Sequence, residues 1–143
     1  MLIGEYSHNM DAKGRVFMPA KFREELGEKF IVSRGIGKCL FVFAQNAWTE
    51  LAAKLKTVPI TDQKAQVFLR MLFASACECE PDKQGRFLLP ARLREYAGFD
   101  KEVVAIGVMG RVELWSAENW EAYSAASDED YESTLEKLAE LGI

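Results

Sequence analysis

The stretch Asp11-Ala-Lys-Gly-Arg-Val-Phe-Met-Pro-Ala-Lys-Phe-Arg-Glu24 occurs twice in this chain of 143 residues. The second copy, 71 residues later, reads Asp82-Lys-Gln-Gly-Arg-Phe-Leu-Leu-Pro-Ala-Arg-Leu-Arg-Glu95. Asp, Gly, Arg, Pro, Ala, Arg and Glu return at the same offsets. An internal repeat marks two copies of one supersecondary unit. The sequence therefore predicts a molecule built from two similar halves.

The repeated stretch predicts a turn, a short strand and a short helix. Asp11 can accept hydrogen bonds from backbone N–H groups two residues on, and Gly14 allows a positive φ, so a turn is favoured here. Residues 15–18 are typical of a short strand. Pro19 is favourable in the first turn of a helix, and Gly27 is well placed to end that helix. We expect the same elements from the second copy.

A hairpin and a longer helix complete each predicted unit. In the first copy the hairpin strands are expected near residues 30–34 and 39–43, and the second copy repeats this order. Asn46 and Ser116 are the predicted N-caps of the helices that follow the hairpins. A unit of roughly 45 residues is too small to build a core easily by itself. We therefore expect the halves to complete each other around a pseudo-twofold axis.

These elements divide the chain into four predicted segments. They are a first repeat at residues 5–48, connecting helices at 49–75, a second repeat at 76–120 and an acidic C-terminal helix or tail at 121–143. The connecting helices should pack outside the shared core, and the second of them should start at Thr61 or Asp62. The predicted fold class is α+β, with helices that flank the strands; the resemblance described below implies that the strands form mainly a β barrel.

Composition and charge indicate a globular protein. Hydrophobic residues make up 49% and charged residues 28%, and no apolar run approaches the roughly 20 residues of a membrane span. The first residues lack the basic and apolar regions of a signal peptide, so we expect a cytoplasmic protein with reduced thiols. The net charge is −4, but six acids and one base lie in residues 127–143, and seven bases lie in residues 11–38. A local basic face is therefore compatible with an acidic chain.

The loop before each short strand carries the candidate chemistry. An arginine offers a planar fork of donors that fits a phosphate or the O6/N7 edge of guanine. The aspartate four residues earlier could orient the loop by accepting backbone N–H bonds, or it could pair with the arginine. A lysine in each turn would add phosphate contacts, which fix register but carry little sequence information. The candidate DNA-binding residues are Arg15, Arg86, Lys13 and Lys83, and the loop-orienting residues are Asp11, Asp82, Gly14 and Gly85.

The doubled Asp-x-x-x-Arg turn, followed each time by Pro-Ala-(Lys/Arg)-(Phe/Leu)-Arg-Glu, resembles the MraZ family over about residues 1–121. The resemblance implies two AbrB/SpoVT-like swapped-hairpin halves that form one double-psi-type barrel. It also implies a nucleoid-associated transcriptional regulator of the bacterial division and cell-wall gene cluster. Such a regulator would bind direct repeats in double-stranded promoter DNA through its two Asp-x-x-x-Arg loops, as a ring-shaped homo-oligomer.

Other conspicuous residues are expected to be structural. Arg23 and Arg94 lie in the middle of short helices beside glutamates, and we expect them to form ion pairs between the halves. The three tryptophans fall in apolar helix or strand patterns, so they are expected in the core or at an interface. These tryptophans are Trp48, Trp115 and Trp120.

An enzymatic role has little support in the sequence. His8, Cys39, Cys77 and Cys79 could supply four zinc ligands, but there is no Cys-x-x-Cys knuckle, and buried structural cysteine is the more common case. With one histidine and no visible nucleophile–base pair, we predict no enzyme, no metal or cofactor, and no small-molecule substrate. The alternative function is a protein-interaction module of the same barrel type, antitoxin-like or a scaffold, which would use the acidic tail and exposed helices.

Overall fold

Each copy of the repeated stretch folds into the predicted turn, short strand and helix. In the computed structural model, which describes residues 1–143, both helices are seven residues long and begin directly after the proline of their copy. The elements in chain order are β1 (Leu2–Asn9), β2 (Arg15–Phe17), α1 (Ala20–Leu26), β3 (Phe30–Arg34), β4 (Leu40–Ala44), α2 (Gln45–Leu55), α3 (Gln63–Ser75), β5 (Cys77–Cys79), β6 (Arg86–Leu88), α4 (Ala91–Ala97), β7 (Glu102–Met109), β8 (Arg111–Ser116) and α5 (Ala117–Glu140).

The strands form two antiparallel sheets. A six-stranded sheet has the order β1-β7-β8-β4-β3-β5, and β2 pairs with β6 in a separate two-stranded ribbon. Every pairing in both sheets is antiparallel. The α+β class is therefore confirmed. The six-stranded sheet is not closed, so the closed double-psi barrel and the swapped hairpins stay predictions.

The two repeats are interleaved in these sheets. β1 of the first repeat pairs along its whole length with β7 of the second. β5 of the second repeat pairs with β3 of the first, and β2 pairs with β6 across the repeats. Because unpaired backbone groups are costly when buried, each repeat depends on strands of the other.

A shared apolar core joins the halves. It contains 18 buried residues from both repeats, and the rings of Phe30 and Phe87 meet edge to face with 5.0 Å between their centroids. Helix α1 buries Phe22 and Leu26, which lie four residues apart on one face of the helix. Burial of side chains of this size contributes about 1.5–3 kcal/mol each. The core therefore holds the repeats together as one unit.

The tryptophans pack on the opposite face of the six-stranded sheet. Along β4, Val42 belongs to the shared core, whereas Phe41 and Phe43 belong to a second cluster that contains the buried Trp115. Trp48 of α2 and Trp120 of α5 pack against this second cluster and are partly buried. The expectation that the tryptophans are core or interface residues is thus confirmed.

Two of the predicted helix caps are present and one is wrong. The side chain of Asp62 accepts the N–H of Ala65 at 3.1 Å, and Ser116 accepts the N–H of Asn119 at 3.0 Å. Asn46, however, lies inside α2, which begins one residue earlier and has no side-chain cap. The reason is that β4 passes directly into α2 without a loop, so the helix starts before the asparagine reaches the cap position.

The acidic C-terminal segment is helical. α5 runs unbroken for 24 residues, and its contacts with the rest of the chain are concentrated in its first turns. Trp120 donates from its indole N–H to Glu5 at 2.9 Å, and the Asn119 amide donates to the carbonyl of Ala97 at 3.3 Å. Beyond Ser127 every residue is exposed. None of the five helices combines the length and the apolar composition that a membrane-spanning helix needs.

Candidate nucleic-acid interface

One carboxylate holds the first loop, residues 11–15. Oδ1 of Asp11 accepts the backbone N–H of Lys13 at 3.0 Å and that of Arg15 at 2.9 Å, while Oδ2 accepts from Nε of Arg15 at 2.6 Å. The Gly14 N–H also donates to the carbonyl of Asp11, at 3.0 Å. The sequence left open whether the aspartate would hold the backbone or pair with the arginine. The structure shows that it does both.

The second loop, residues 82–86, repeats this arrangement. Oδ1 of Asp82 accepts the N–H groups of Gln84 and Arg86, both at 2.9 Å, and Oδ2 accepts from Nε of Arg86 at 3.1 Å. The two loops have only their aspartate, glycine and arginine in common. The residues at the other two positions therefore do not determine the shared geometry. We call residues 11–15 and 82–86 the arginine loops.

Hydrogen bonding lowers the pKa of both aspartates. For Asp11 the largest cause is the backbone N–H of Arg15, and for Asp82 it is the backbone N–H of Arg86. Desolvation acts in the opposite direction but does not reverse the lowering of either pKa. A lowered carboxyl pKa means that the charged form is the one the loop stabilises. Both carboxylates are therefore ionised at neutral pH and hold their arginines as ion pairs.

The two-stranded ribbon brings both arginines to one surface. Arg15 and Arg86 occupy diagonal positions in the register of β2 and β6. The central pair of the ribbon, Val16 opposite Phe87, is buried. Because side chains alternate between the faces of a strand, the arginines project from the outer face. Diagonal neighbours in an antiparallel pair lie roughly 7–8 Å apart, so one chain presents two arginines side by side.

Both guanidinium groups keep donors free for a ligand. The side chain of Arg15 is 30% exposed and that of Arg86 is 37% exposed. Each aspartate takes the Nε donor, and no protein group accepts from the terminal nitrogens of either arginine. A guanidinium has five N–H donors, so the outward end of each side chain still offers a fork that matches a phosphate or a guanine edge.

The lysines of the arginine loops are exposed but occupy different positions in the two turns. Lys13 corresponds to Gln84 of the second loop, and Lys83 corresponds to Ala12 of the first. Neither lysine forms an ion pair within the chain. Each loop therefore carries one unpaired positive charge beside its arginine, displaced by one residue.

Arg23 and Arg94 contact the arginine loops of the opposite repeat, which corrects their expected role in ion pairs. Nη1 of Arg94 donates to the carbonyl of Gly14 at 3.3 Å, and a Cβ atom on Gly14 would lie 1.6 Å from this nitrogen. In the equivalent contact, a Cβ atom on Gly85 would lie 2.9 Å from Cζ of Arg23. Neither arginine has an acidic partner. The expected ion pairs do not form because Glu24 and Glu95, the sequence neighbours of these arginines, are exposed to solvent on their helices.

The glycines of the arginine loops are required by conformation as well as by space. Gly14 has φ of 78° and Gly85 has φ of 87°, a region that residues with a Cβ adopt only at a cost. Both glycines are buried under the arginine of the opposite repeat. Sequence reasoning predicted the turn but missed this cross-repeat contact. The available signal was that an arginine recurs at the same offset in both helices.

The thiols and the imidazole do not come together at one site. Cys39 lies in the second cluster, whereas Cys77 and Cys79 lie on β5 at the shared core. His8 packs against Phe17, with 4.3 Å between the ring centroids. No group of three or more His, Cys, Asp or Glu side chains is placed to hold a metal ion. The zinc site that the sequence left open therefore receives no support from the geometry.

Comparison with known proteins finds two matches to one family. A family model described as "MraZ protein, putative antitoxin-like" matches residues 1–71 and again residues 72–141. The chain is 58% identical to "Transcriptional regulator MraZ" of Carboxydothermus hydrogenoformans over 98% of both chains. It is 55% and 54% identical, over 100% of both chains, to proteins of the same name from Caldicellulosiruptor saccharolyticus and Thermoanaerobacter sp.. Each matched range contains one arginine loop.

Proposed function

Because the chain belongs to the MraZ family, we propose that it is a sequence-specific DNA-binding transcriptional regulator. Its target is promoter DNA of the bacterial division and cell-wall gene cluster, and it acts in the cytoplasm in association with the nucleoid. The arginine loops contact direct repeats in the DNA, and several copies act together as a ring-shaped homo-oligomer. The names of the relatives support the regulatory role.

The observation that carries this proposal is the pair of arginines on the outer face of the β2–β6 ribbon. Arg15 and Arg86 are each fixed through Nε by an aspartate, and their terminal nitrogens are free. Two preorganised guanidinium forks beside two exposed lysines suit a polyanion whose bases can be read in the major groove.

The small contact surface of one chain favours binding by several copies together. One chain has only two arginine loops, so binding by a single chain is expected to be weak. Linking several copies can raise the overall affinity by ~10²–10⁴ without any new contact, provided that the geometry lets them bind together. Half-sites about one helical turn apart, roughly 10 bp, would present equivalent groups to successive copies.

The test is a mobility-shift titration with the DNA upstream of the chain's own gene. We expect Arg15→Ala and Arg86→Ala each to weaken binding by about 1–3 kcal/mol for every copy of that arginine in contact with the DNA, which is the range of a bidentate arginine contact. The double variant should show no specific shift. Wild-type affinity should also fall steeply with added salt, because phosphate contacts release counterions.

Lys54→Ala is the matched control, since Lys54 is exposed on α2 and belongs to no arginine loop. It should bind like the wild type. Circular dichroism and size-exclusion mass must be unchanged in all variants for the comparison to be valid. If the double arginine variant retained native affinity for the specific DNA, the assignment of the arginine loops would be wrong.

A protein-interaction module is the second candidate, favoured by the exposed outer part of α5. This part carries six acids together with Tyr131, Leu135 and Leu138, which are 66%, 50% and 40% exposed. The family description also includes the term antitoxin-like. The same mobility-shift experiment separates the two candidates, because only a DNA-binding regulator predicts a shift that depends on DNA sequence and on both arginines.

A further inference from the structure

Two thiols meet on the edge strand that leads into the second arginine loop. Cys77 and Cys79 lie two residues apart on β5, so their side chains share one face of the strand. Their sulfur atoms are 3.8 Å apart. β5 is the last strand of the six-stranded sheet and pairs only with β3. The pair therefore lies on an edge strand, which is held in the sheet by hydrogen bonds to one neighbouring strand only.

The two thiols differ in reactivity. Cys77 is half-buried, and the hydrogen bond from the neighbouring Cys79 thiol, together with the charge of Arg92, lowers the pKa of Cys77 to about 7. Cys79 is buried, and its interaction with Cys77 and its desolvation raise its pKa. The thiolate is the reactive form, and Cys77 is also the more exposed thiol of the pair, so the geometry favours Cys77 as the nucleophile and Cys79 as its partner.

Cys39 provides the contrast within the same chain. It is fully buried in the second cluster, donates to the carbonyl of Ile36 at 3.3 Å, and has no thiol within reach. Burial raises the pKa of Cys39 to about 12. A buried thiol with a raised pKa is unreactive towards peroxide, and Cys39, unlike Cys79, has no neighbouring sulfur to which it could bond. The chain therefore holds one reactive pair and one structural cysteine.

We propose that Cys77 and Cys79 form a peroxide-reactive dithiol that closes an intrachain disulfide. The Cys77 thiolate attacks one oxygen of hydrogen peroxide, the O–O bond breaks, and the hydroxide that leaves takes up a proton to become water. The resulting sulfenic acid is attacked by the sulfur of Cys79. The S–S bond forms, the S–O bond breaks, and the hydroxyl leaves as water with the Cys79 proton. Two thiols are oxidised by two electrons, and one peroxide is reduced to two waters.

Closing this bond changes the strand. The sulfur atoms must approach from 3.8 Å to about 2.05 Å, and a disulfide allows Cα atoms at most roughly 6.8 Å apart. Two residues of extended strand span about that distance, which is the upper end of the range, so closing the bond strains β5 and favours a shorter strand. Its ladder with β3 is only three residues long. The distortion is then passed to Asp82, three residues beyond Cys79, which positions Arg86.

Oxidation of the dithiol therefore changes the geometry of the second arginine loop and does not affect the first. The positions equivalent to Cys77 and Cys79 in the first repeat are Tyr6 and His8, which cannot form a disulfide. Oxidation makes the two loops of one chain unequal. This effect on DNA binding rests on the proposed function, whereas the thiol chemistry does not.

The chemical test uses the intact, full-length protein. Reduced protein is treated with hydrogen peroxide, unfolded, alkylated with N-ethylmaleimide and digested with trypsin. We expect the peptide spanning residues 71–83 to carry no alkyl groups and to be two hydrogens lighter than its reduced form, while Cys39 is alkylated. Dithiothreitol should restore both thiols. Equal oxidation of Cys39, or no oxidation of Cys77 at peroxide levels that oxidise free cysteine, would overturn the proposal.

Single substitutions assign the roles of the two cysteines. In Cys79→Ser, oxidation should stop at a sulfenic acid on Cys77 that dimedone traps, because no resolving thiol remains. Cys77→Ser should leave Cys79 unreacted at the same peroxide concentration. If Cys79 reacted as fast in Cys77→Ser as Cys77 does in Cys79→Ser, the assignment of Cys77 as nucleophile would be wrong. Serine is close in size to cysteine, so the fold should be kept, which circular dichroism checks.

A second measurement tests the link to the arginine loop. Oxidised wild-type protein should bind its DNA several-fold more weakly than reduced protein, and dithiothreitol should reverse the loss. The variant with both Cys77→Ser and Cys79→Ser should be insensitive to peroxide. A disulfide that leaves DNA affinity unchanged would overturn the link to the loop. Failure of the reduced wild type to bind DNA would instead contradict the proposed function, so the two failures are distinguishable.

Discussion

At the scale of single residues, one aspartate fixes each arginine loop while leaving the arginine available to a ligand. Asp11 occupies the backbone N–H groups of the turn and the Nε donor of Arg15. A long side chain that is ordered before binding loses less conformational entropy when it binds. The same reasoning applies to Asp82 and Arg86. The aspartates are thus positioning residues for the proposed DNA contact.

The lowered pKa values of these aspartates predict how the loops respond to acid. A carboxyl whose pKa is lowered on folding stabilises the fold above its ordinary pKa, and this stabilisation is lost as the pH falls through the folded value. We expect NMR titration of the Asp11 and Asp82 carboxyl carbons to give midpoints below the ordinary 3.8. In Arg15→Ala the Asp11 midpoint should move part of the way back, and a wild-type midpoint at or above 3.8 would contradict the hydrogen bonding described.

The cross-repeat contact of Arg94 can be tested at Gly14. Gly14→Ala should cost about 1–2 kcal/mol of unfolding free energy for the positive φ alone, and more because the new methyl group displaces Arg94. Gly98→Ala is the control: Gly98 is left-handed, with φ of 69° and ψ of 30°, and a Cβ there meets only the Asn119 amide at 3.5 Å. Urea unfolding should show a larger loss for Gly14→Ala, and equal losses would argue against the contact.

At the scale of elements, α5 divides into a docked part and a free part. Its start is capped by Ser116 and anchored by Trp120, which lies 5.4 Å from Trp115 between ring centroids. In its outer turns, by contrast, every residue beyond Ser127 is exposed. A helix without tertiary packing gains little stability in water. The outer part of α5 therefore adds length and negative charge, and it leaves apolar side chains exposed.

Removing residues 127–143 is expected to leave the fold of the remaining chain intact. The change in unfolding free energy should be within about 0.5 kcal/mol, as for surface changes, whereas Ser116→Ala should cost about 1 kcal/mol through loss of its cap. Urea denaturation at equal protein concentration gives both values. If the truncation proved more costly than the loss of the cap, the outer turns would have to be packed against another surface, such as a second copy of the chain.

At the scale of the whole molecule, the two repeats are one folding unit. β1 forms its backbone hydrogen bonds with β7, and β5 forms its own with β3. Each arginine loop is also covered by an arginine of the other repeat. The buried side chains of the core come from both halves. A molecule of this kind cannot lose one half and keep the other. Its two arginine loops are therefore held in a fixed relation to each other.

Separated halves should confirm this dependence. Fragments 1–75 and 76–143 are each expected to be unfolded or to pair with a second copy of themselves, because each lacks its partner strands. An equimolar mixture should regain native circular dichroism and the mass of the intact assembly on size exclusion with light scattering. A fragment 1–75 that unfolded cooperatively as a monomer would contradict the interleaved arrangement.

The sequence predicted those features that depend on neighbours along the chain. The turn at Asp11, the helix after Pro19 and the caps at Asp62 and Ser116 were all predicted, because proline, glycine and short polar side chains act on the adjacent backbone. Asn46 is the exception, since its cap preference was overridden by the strand that runs directly into α2. The aspartate–arginine pairing within one loop was also foreseeable from its spacing of four residues.

What the sequence determined by itself is the doubling: two copies of one unit, each with an Asp-x-x-x-Arg turn before a strand. Only the tertiary structure decided that Arg15 and Arg86 share one face, that Arg94 of the other repeat covers Gly14, and that Cys77 differs from Cys39. The physical reason is that strand pairing and burial join residues far apart in sequence, so their register depends on how the whole core packs. Local conformational preferences determine the backbone geometry of each loop, and long-range packing determines the positions of the two loops in the molecule.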